Sequence, residues 1–334
     1  MSQTVYDVIG VGNAIVDVIA SCDDAFLKAQ KIEKGAMTLI DETRASELYG
    51  AMAPGKEVSG GSAANTLAGI ASFGARGAYI GKVAGDELGG IFRHDLNAAG
   101  VDYTTAPLTD GPLTARCLIN VTPDAQRSMS TFLGASVFFS GDDIDADKIA
   151  SARITYLEGY LFDRDEAKEA FVKAAEIAKA ANRLTSLTLS DSFCVDRHRA
   201  AFRQLVRNHI DILFANEAEL VSLYEADGFD EALDAVKAET RIAAITRSEK
   251  GAVLIDRGET LSIPAEPVSK VIDTTGAGDL FAAGMLTGLA RGHDLETSGR
   301  LGAIAAAEII SHIGARPNVS LKLLAETYGI EIGD

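Results

Sequence analysis

Short apolar, β-branched runs recur along the chain, and between them lie longer stretches whose apolar positions repeat every three to four residues. The runs at 6–11, 154–157, 184–189, 210–214, 242–246 and 252–255 predict strands. The periodic stretches at 63–73, 88–98, 166–180, 196–207, 230–238, 279–290 and 295–312 predict helices. Strands alternating with helices imply an α/β fold, a mostly parallel sheet flanked by helices on both faces. In such sheets ligands sit beyond the carboxyl ends of the strands.

One stretch breaks the alternation. Residues 113–133 read LTARCLINV, a turn with Pro123 and Asp124, and then RSMSTFL, which predicts a hairpin with no helix of its own. It is either a plain surface hairpin or a strand pair over a ligand site, and local sequence leaves both open. No internal repeat, low-complexity tract or Pro/Gly-rich linker divides the chain, so a single domain over 1–334 is expected.

The 334 residues are 47% hydrophobic, enough for a core without disulfide or metal staples. Asp and Glu number 48 against 31 Lys and Arg, a net charge of −17. That surface repels phosphate backbones and anionic lipid, so neither nucleic acid nor membrane is expected as a partner. An anionic ligand therefore requires a local exception to the global charge. Cys22, Cys117 and Cys194 are far apart without CxxC spacing, and the five histidines are scattered, which disfavours a disulfide framework or a zinc site. There is no basic, apolar leader pattern and no uncharged apolar run of membrane-spanning length. A cytoplasmic location is expected.

The local exception lies in VIDTTGAGDLFAAG, residues 271–284. Gly276, Ala277 and Gly278 let backbone approach a ligand closely, and the helix that follows presents free N–H groups and partial positive charge. Asp279 opens that helix, where its carboxylate is placed to accept a proton from a substrate hydroxyl. An isolated GxGD would read as a glycine turn with a capping Asp. Asp273 and the small-residue face at 282–284 make this segment more specific than that. A second cluster, SGGSAAN at 59–65, runs into a helix and offers Gly60, Gly61, Ser62 and Asn65 to the same end of the sheet. A third, GVGNAIVD at 10–17, lacks the third glycine and the helix of a dinucleotide fingerprint. It instead supplies Asn13 and Asp17, hydrogen-bonding groups in an apolar run. The segment GAMAPGKE at 50–57 approaches a phosphate-binding P-loop but has Glu57 where the Mg²⁺-binding hydroxyl belongs, and the pattern before it is helical.

Together these segments resemble the ribokinase/PfkB family of ATP-dependent carbohydrate and nucleoside kinases. DTTGAGD at 273–279 and GGSAAN at 60–65 match its two signatures. FANEAE at 214–219 resembles its Asn-x-x-Glu element, here Asn216 and Glu219, and TRSEKG at 246–251 its nucleotide-contacting turn. The resemblance covers nearly the whole chain and implies a ribokinase-like fold with a small β lid, drawn from about 14–45 and 104–135. It implies Asp279 as general base, with Gly276, Ala277 and Gly278 stabilising charge on the transferring phosphoryl group. Asn13, Asp17, Gly60, Gly61, Ser62 and Asn65 would bind substrate hydroxyls. Asn216, Thr246, Arg247, Gly251, Gly276 and Gly278 would contact ATP, with Glu219 reaching Mg²⁺ through water. Arg127 in the lid is a candidate phosphate partner or a solvated lid charge. Asp273, with carbonyls near Gly314, is a candidate site for K⁺.

The 43 positions from Asp17 to Gly60, and the stretches 127–135, 159–162 and 214–219, look closest to the branch of the family acting on adenosine. That acceptor needs an apolar slot with aromatic stacking, for which Leu39, Leu133 and Phe162 are candidates. The resemblance thus implies phosphorylation of a nucleoside 5′-hydroxyl, with ribose, fructose or a related sugar as the alternative acceptor. It implies a monomer or homodimer. A non-catalytic binding protein is disfavoured by the intact Asp279, glycines and Asn216/Glu219 pair, and an NAD-dependent oxidoreductase by the missing fingerprint.

Overall fold

The continuous apolar runs become buried strands because a sheet covered on both faces needs apolar side chains on both. A computed structural model describes residues 4–124 and 126–333. The first strands are β1 (Tyr6–Val11), β2 (Ile15–Ser21), β3 (Met37–Leu39), β4 (Lys56–Gly60), β5 (Gly77–Ile80), β6 (Val101–Tyr103) and β7 (Ala115–Val121). Then come β8 (Arg127–Phe132), β9 (Ala152–Glu158), β10 (Leu184–Thr188), β11 (Ile212–Asn216), β12 (Ile242–Thr246), β13 (Ala252–Asp256) and β14 (Glu259–Ile263). The helices are α1 (Asp24–Ala29), α2 (Glu42–Ala51), α3 (Ser62–Ser72), α4 (Glu87–Ala98), α5 (Ala146–Ser151) and α6 (Asp165–Ala180). They continue with α7 (Ser192–His209), α8 (Glu217–Tyr224), α9 (Phe229–Glu239), α10 (Ala277–Ala290), α11 (Leu295–Ile309) and α12 (Leu321–Thr327).

Nine strands form one sheet in the order β14-β13-β12-β11-β10-β9-β1-β5-β6, parallel from β12 through β6 and antiparallel only at β13 and β14. This is the ribokinase-like α/β architecture. One core lies between the sheet and α3, α10 and α11, and a second lies on the other face under α5 to α9. Each predicted helix is present to within a few residues. The stretch 196–207 belongs to the longer α7, which bends at His198, where φ is −125°.

Five strands form a second, smaller sheet in the order β3-β8-β7-β2-β4. The 113–133 hairpin is its β7–β8 pair; Ala125 in its turn lies outside the described residues. The sheet also takes in β4, outside the ranges 14–45 and 104–135, because β4 pairs antiparallel with β2 and satisfies its free edge. Short strands such as β3 and β5 escape a reading by periodicity because three or four residues carry too little pattern. The 50–57 segment runs from α2 into β4, the reverse of a strand-to-helix phosphate loop.

Candidate active site

Two helix N-termini meet at the carboxyl end of the large sheet. A Cβ on Gly69 of α3 would lie 2.7 Å from Ala283 Cβ and Leu280 Cδ1 of α10, so small residues let these two helices pack closely. A Cβ on Gly284 would lie 2.4 Å from the Leu301 carbonyl of α11. The small-residue face at 282–284 therefore serves packing, and that packing aims the start of α10 at the start of α3.

Asp279, in the first turn of α10, accepts from Ser62 Oγ at 2.6 Å and from Asn65 Nδ2 at 3.0 Å. Burial pushes its carboxyl above the usual range, and the Ser62 and Asn65 donors and the Arg316 charge oppose that rise. Gly276 caps the helix in the left-handed region at φ +80°, and a Cβ on Gly278 would meet nothing within 4 Å. Ala277 N is taken by Thr274 O at 3.2 Å, which leaves the Gly278 and Asp279 amides at the helix start for an anion.

Facing Asp279 are groups from several other elements. Gly60 ends β4 with its Cβ position 2.5 Å from Asp17 Oδ2, so the Asp17 carboxylate lies flat against that glycine. Burial pushes Asp17 up to about 6, against the lowering effect of Arg127 and Arg316. Asn13 follows β1, and the side-chain oxygens of Asn13 and Asn65 are both buried without a protein partner. A buried acceptor left open in this way fits an arriving hydroxyl donor. Sequence reading missed Glu158, at the end of β9. It is 1% exposed, accepts from Ala63 N at 2.7 Å and Asn13 N at 3.2 Å, and is pushed up to about 7 by burial. Its signal was an acid closing the apolar run 154–157.

The nucleotide candidates sit farther along the same sheet edge. Asn216 and Thr246 are paired at the ends of β11 and β12. Asn216 caps α8 and forms a capping box: its Oδ1 accepts from Glu219 N at 2.8 Å, while Glu219 accepts from Asn216 N at 2.9 Å and Nδ2 at 2.7 Å. Burial pushes Glu219 up to about 7. Both Glu219 oxygens have protein donors, which fits contact with Mg²⁺ through water better than direct ligation. Arg247 pairs with Glu217 at 3.0 Å and lies 3.9 Å over the Phe229 ring. Gly251 is needed at φ +80°, since its Cβ would lie 2.0 Å from the Ile263 carbonyl oxygen. Among the described residues no group of three or more His, Cys, Asp or Glu is arranged to hold a metal.

Arg127, at the start of β8 in the small sheet, donates from Nη1 to Asp273 Oδ2 at 2.5 Å, in the segment leading into α10. Asp273 also accepts from Thr275 N at 3.0 Å, Thr275 Oγ1 at 2.6 Å and Gly314 N at 3.1 Å. Burial would raise this carboxyl, but those donors hold it below the usual range. Four donors, one of them cationic, occupy its acceptor positions in this arrangement.

The apolar slot differs from expectation. Phe162 is 2% exposed and stacks on Phe202 at 4.3 Å and 14°, within the core on the α6–α7 side of the sheet. The tight turn at Gly159–Asp163 turns Phe162 inward and leaves Tyr160 at the surface, 37% exposed and hydrogen-bonded to Ser190 O at 3.2 Å. Replacing Phe162 with Ala is therefore expected to cost about 3–5 kcal/mol of stability while leaving KM for the acceptor unchanged. Chemical denaturation alongside steady-state kinetics checks this. Leu39 is exposed on β3, and Leu133 is half-buried just after β8. Cross-strand register puts Ile15, Ile19, Cys117, Ile119, Met129 and Leu39 on the same face of the small sheet as Asp17.

Residues 36–321 match the pfkB family carbohydrate kinases, and the chain belongs to that family. It is a phosphotransferase acting on a hydroxyl group. Adenosine kinase from Saccharomyces cerevisiae is 28% identical, covering 91% of this chain and 94% of its own. Two solved structures are much nearer in sequence. A probable sugar kinase from Rhizobium etli is 51% identical with a TM-score of 0.91, covering 98% of this chain and 99% of that one. Adenosine kinase from Sinorhizobium meliloti is 50% identical with a TM-score of 0.90, covering 97% and 99%. No helix among the described residues is long and apolar enough to cross a membrane.

Proposed function

We propose that this kinase transfers the γ-phosphoryl group of ATP to the 5′-hydroxyl of adenosine. The observation that carries the acceptor is the apolar face of the small sheet, with Ile19, Ile119, Met129 and Leu39 running on from Asp17. A sugar alone needs only the polar end, at Asn13, Asp17 and Asn65; an apolar strip beyond it suits a base. Similarity to the Sinorhizobium adenosine kinase supports the same reading. We infer that Tyr160, exposed in the turn at the end of β9, supplies the aromatic ring for that base.

Asn13, Asp17 and Asn65 hold the ribose hydroxyls, and Asp279 takes the proton from O5′. The oxygen then bonds to the γ-phosphorus as the bond to the bridging oxygen breaks, and ADP leaves. A carboxyl raised from its ordinary value is a better base near neutral pH than a fully solvated one. The α10 amides at Gly278 and Asp279 stabilise charge on the transferring group. Glu219 would hold Mg²⁺ through water, and the ion would supply positive charge to neutralise the ATP phosphates. The smaller sheet acts as a lid that excludes competing water. Arg127 exchanges Asp273 for phosphate as the nucleotide binds.

The test is ADP release from Mg·ATP with adenosine, other nucleosides, ribose and fructose offered separately. The expected result is a kcat/KM for adenosine about 10³-fold or more above that for ribose, since a buried adenine adds several kcal/mol of binding. The Rhizobium relative motivates the sugar arm. Turnover with a free sugar alone would retire the nucleoside reading and keep the kinase.

A further inference from the structure

Arg316 lies in the stretch between α11 and α12, and neither glycine signature contains it. Its guanidinium donates from Nη1 to Ala64 O at 2.8 Å and from Nη2 to Ser59 O and Ser59 Oγ, both at 3.0 Å. Ser59 and Ala64 bracket the turn that carries Gly60, Gly61 and Ser62, and Asn65 is the next residue. Asp95 of α4 holds the amide of Ser59 at 2.9 Å, so that residue is gripped from both sides. One planar fork thus spans both ends of the segment whose Ser62 and Asn65 hold Asp279.

We propose that Arg316 is a positioning residue that clamps the Ser59–Ala64 turn, fixes the two donors on Asp279 and keeps Asp279 ionised. This rests on Asp279 being the base. No carboxylate pairs directly with Arg316 among the described residues; Asp17, Asp95 and Asp279 act on it through space, as does Tyr79. Burial lowers its own basicity to about 10, which leaves it charged at neutral pH. Asp279 sits in an acidic neighbourhood: its charge raises Asp17, Glu158 and Glu219 and the Tyr156 and Tyr160 hydroxyls. Arg316 is the cation set against that acidic group.

The experiment compares Arg316→Gln and Arg316→Lys with the parent and with Asp279→Asn, measuring kcat, both KM values and the pH profile of kcat/KM. Arg316→Gln is expected to lower kcat about tenfold or more and to move the acid limb upward by about half to one pH unit. Arg316→Lys keeps the charge but has no fork, so the limb stays in place while kcat still falls. A kcat within twofold of the parent in Arg316→Gln, or a fall with the acid limb unmoved, overturns the proposal. If Arg316→Gln does not fold, Arg316→Lys decides: kcat within twofold of the parent overturns the clamp. Full turnover in Asp279→Asn would instead show that the base reading itself had failed.

Discussion

Asp279→Asn is expected to lower kcat by about 10²–10⁴ while the dissociation constant for adenosine changes little. The substitution keeps shape and removes the basic oxygen. Ser62 Oγ can still donate to the remaining carbonyl oxygen. The new amide nitrogen would face the Asn65 Nδ2, but the Asn65 carboxamide has an oxygen without a partner and can turn to present it. The site then stays assembled with no group to take the O5′ proton. Steady-state kinetics paired with calorimetric titration of adenosine checks the split between kcat and binding. A kcat within tenfold of the parent would remove Asp279 from the mechanism.

The second large effect is expected from Gly61→Ala. Gly61 has φ +93°, and its Cβ would lie 2.4 Å from the Asn13 carbonyl oxygen, a backbone atom with little room to move. The conformation itself costs about 1–3 kcal/mol for a residue with a side chain. The contact adds a displacement of the turn between β4 and α3, and Ser62, the next residue, moves with it. Asn65 follows because its amide donates to the Gly61 carbonyl at 2.9 Å. A shift of about 1 Å at the donors of a base costs about 10² in rate, so kcat/KM should fall at least that far. Gly90→Ala, on an exposed face of α4 with nothing within 4 Å of its Cβ, is the control. It should leave kinetics unchanged and raise stability by about 0.5–1 kcal/mol. Equal behaviour of the two variants would show that the turn tolerates displacement.

Much of this site was legible because its chemistry is local in sequence. The 273–279 and 60–65 segments each combine a glycine turn with a helix start, and a helix start is an anion site wherever it lies. The alternation of apolar runs likewise determined the α/β class, since a strand buried on both faces has few alternatives. Asn216 and Glu219 were identified as a pair three residues apart, and the structure adds that the spacing is that of a capping box. The motif therefore shapes the start of α8.

What the sequence determined by itself was the fold class and the residues whose role is set within a turn or two of chain. Tertiary structure alone decided which remote groups face them. Glu158 and Arg316 reach the start of α3 from β9 and from beyond α11, and no local pattern ties those positions together. Phe162 and Tyr160 are two residues apart in one turn, and only the packing of Phe202 against that turn settles which ring is core. The apolar strip beside Asp17 exists because β2, β7, β8 and β3 pair in one register, and a slip of one residue would turn it to the other face. The physical reason is common to all three. Capping and turn geometry depend on neighbours along the chain, whereas register, burial and charge pairing depend on which distant segments share a face.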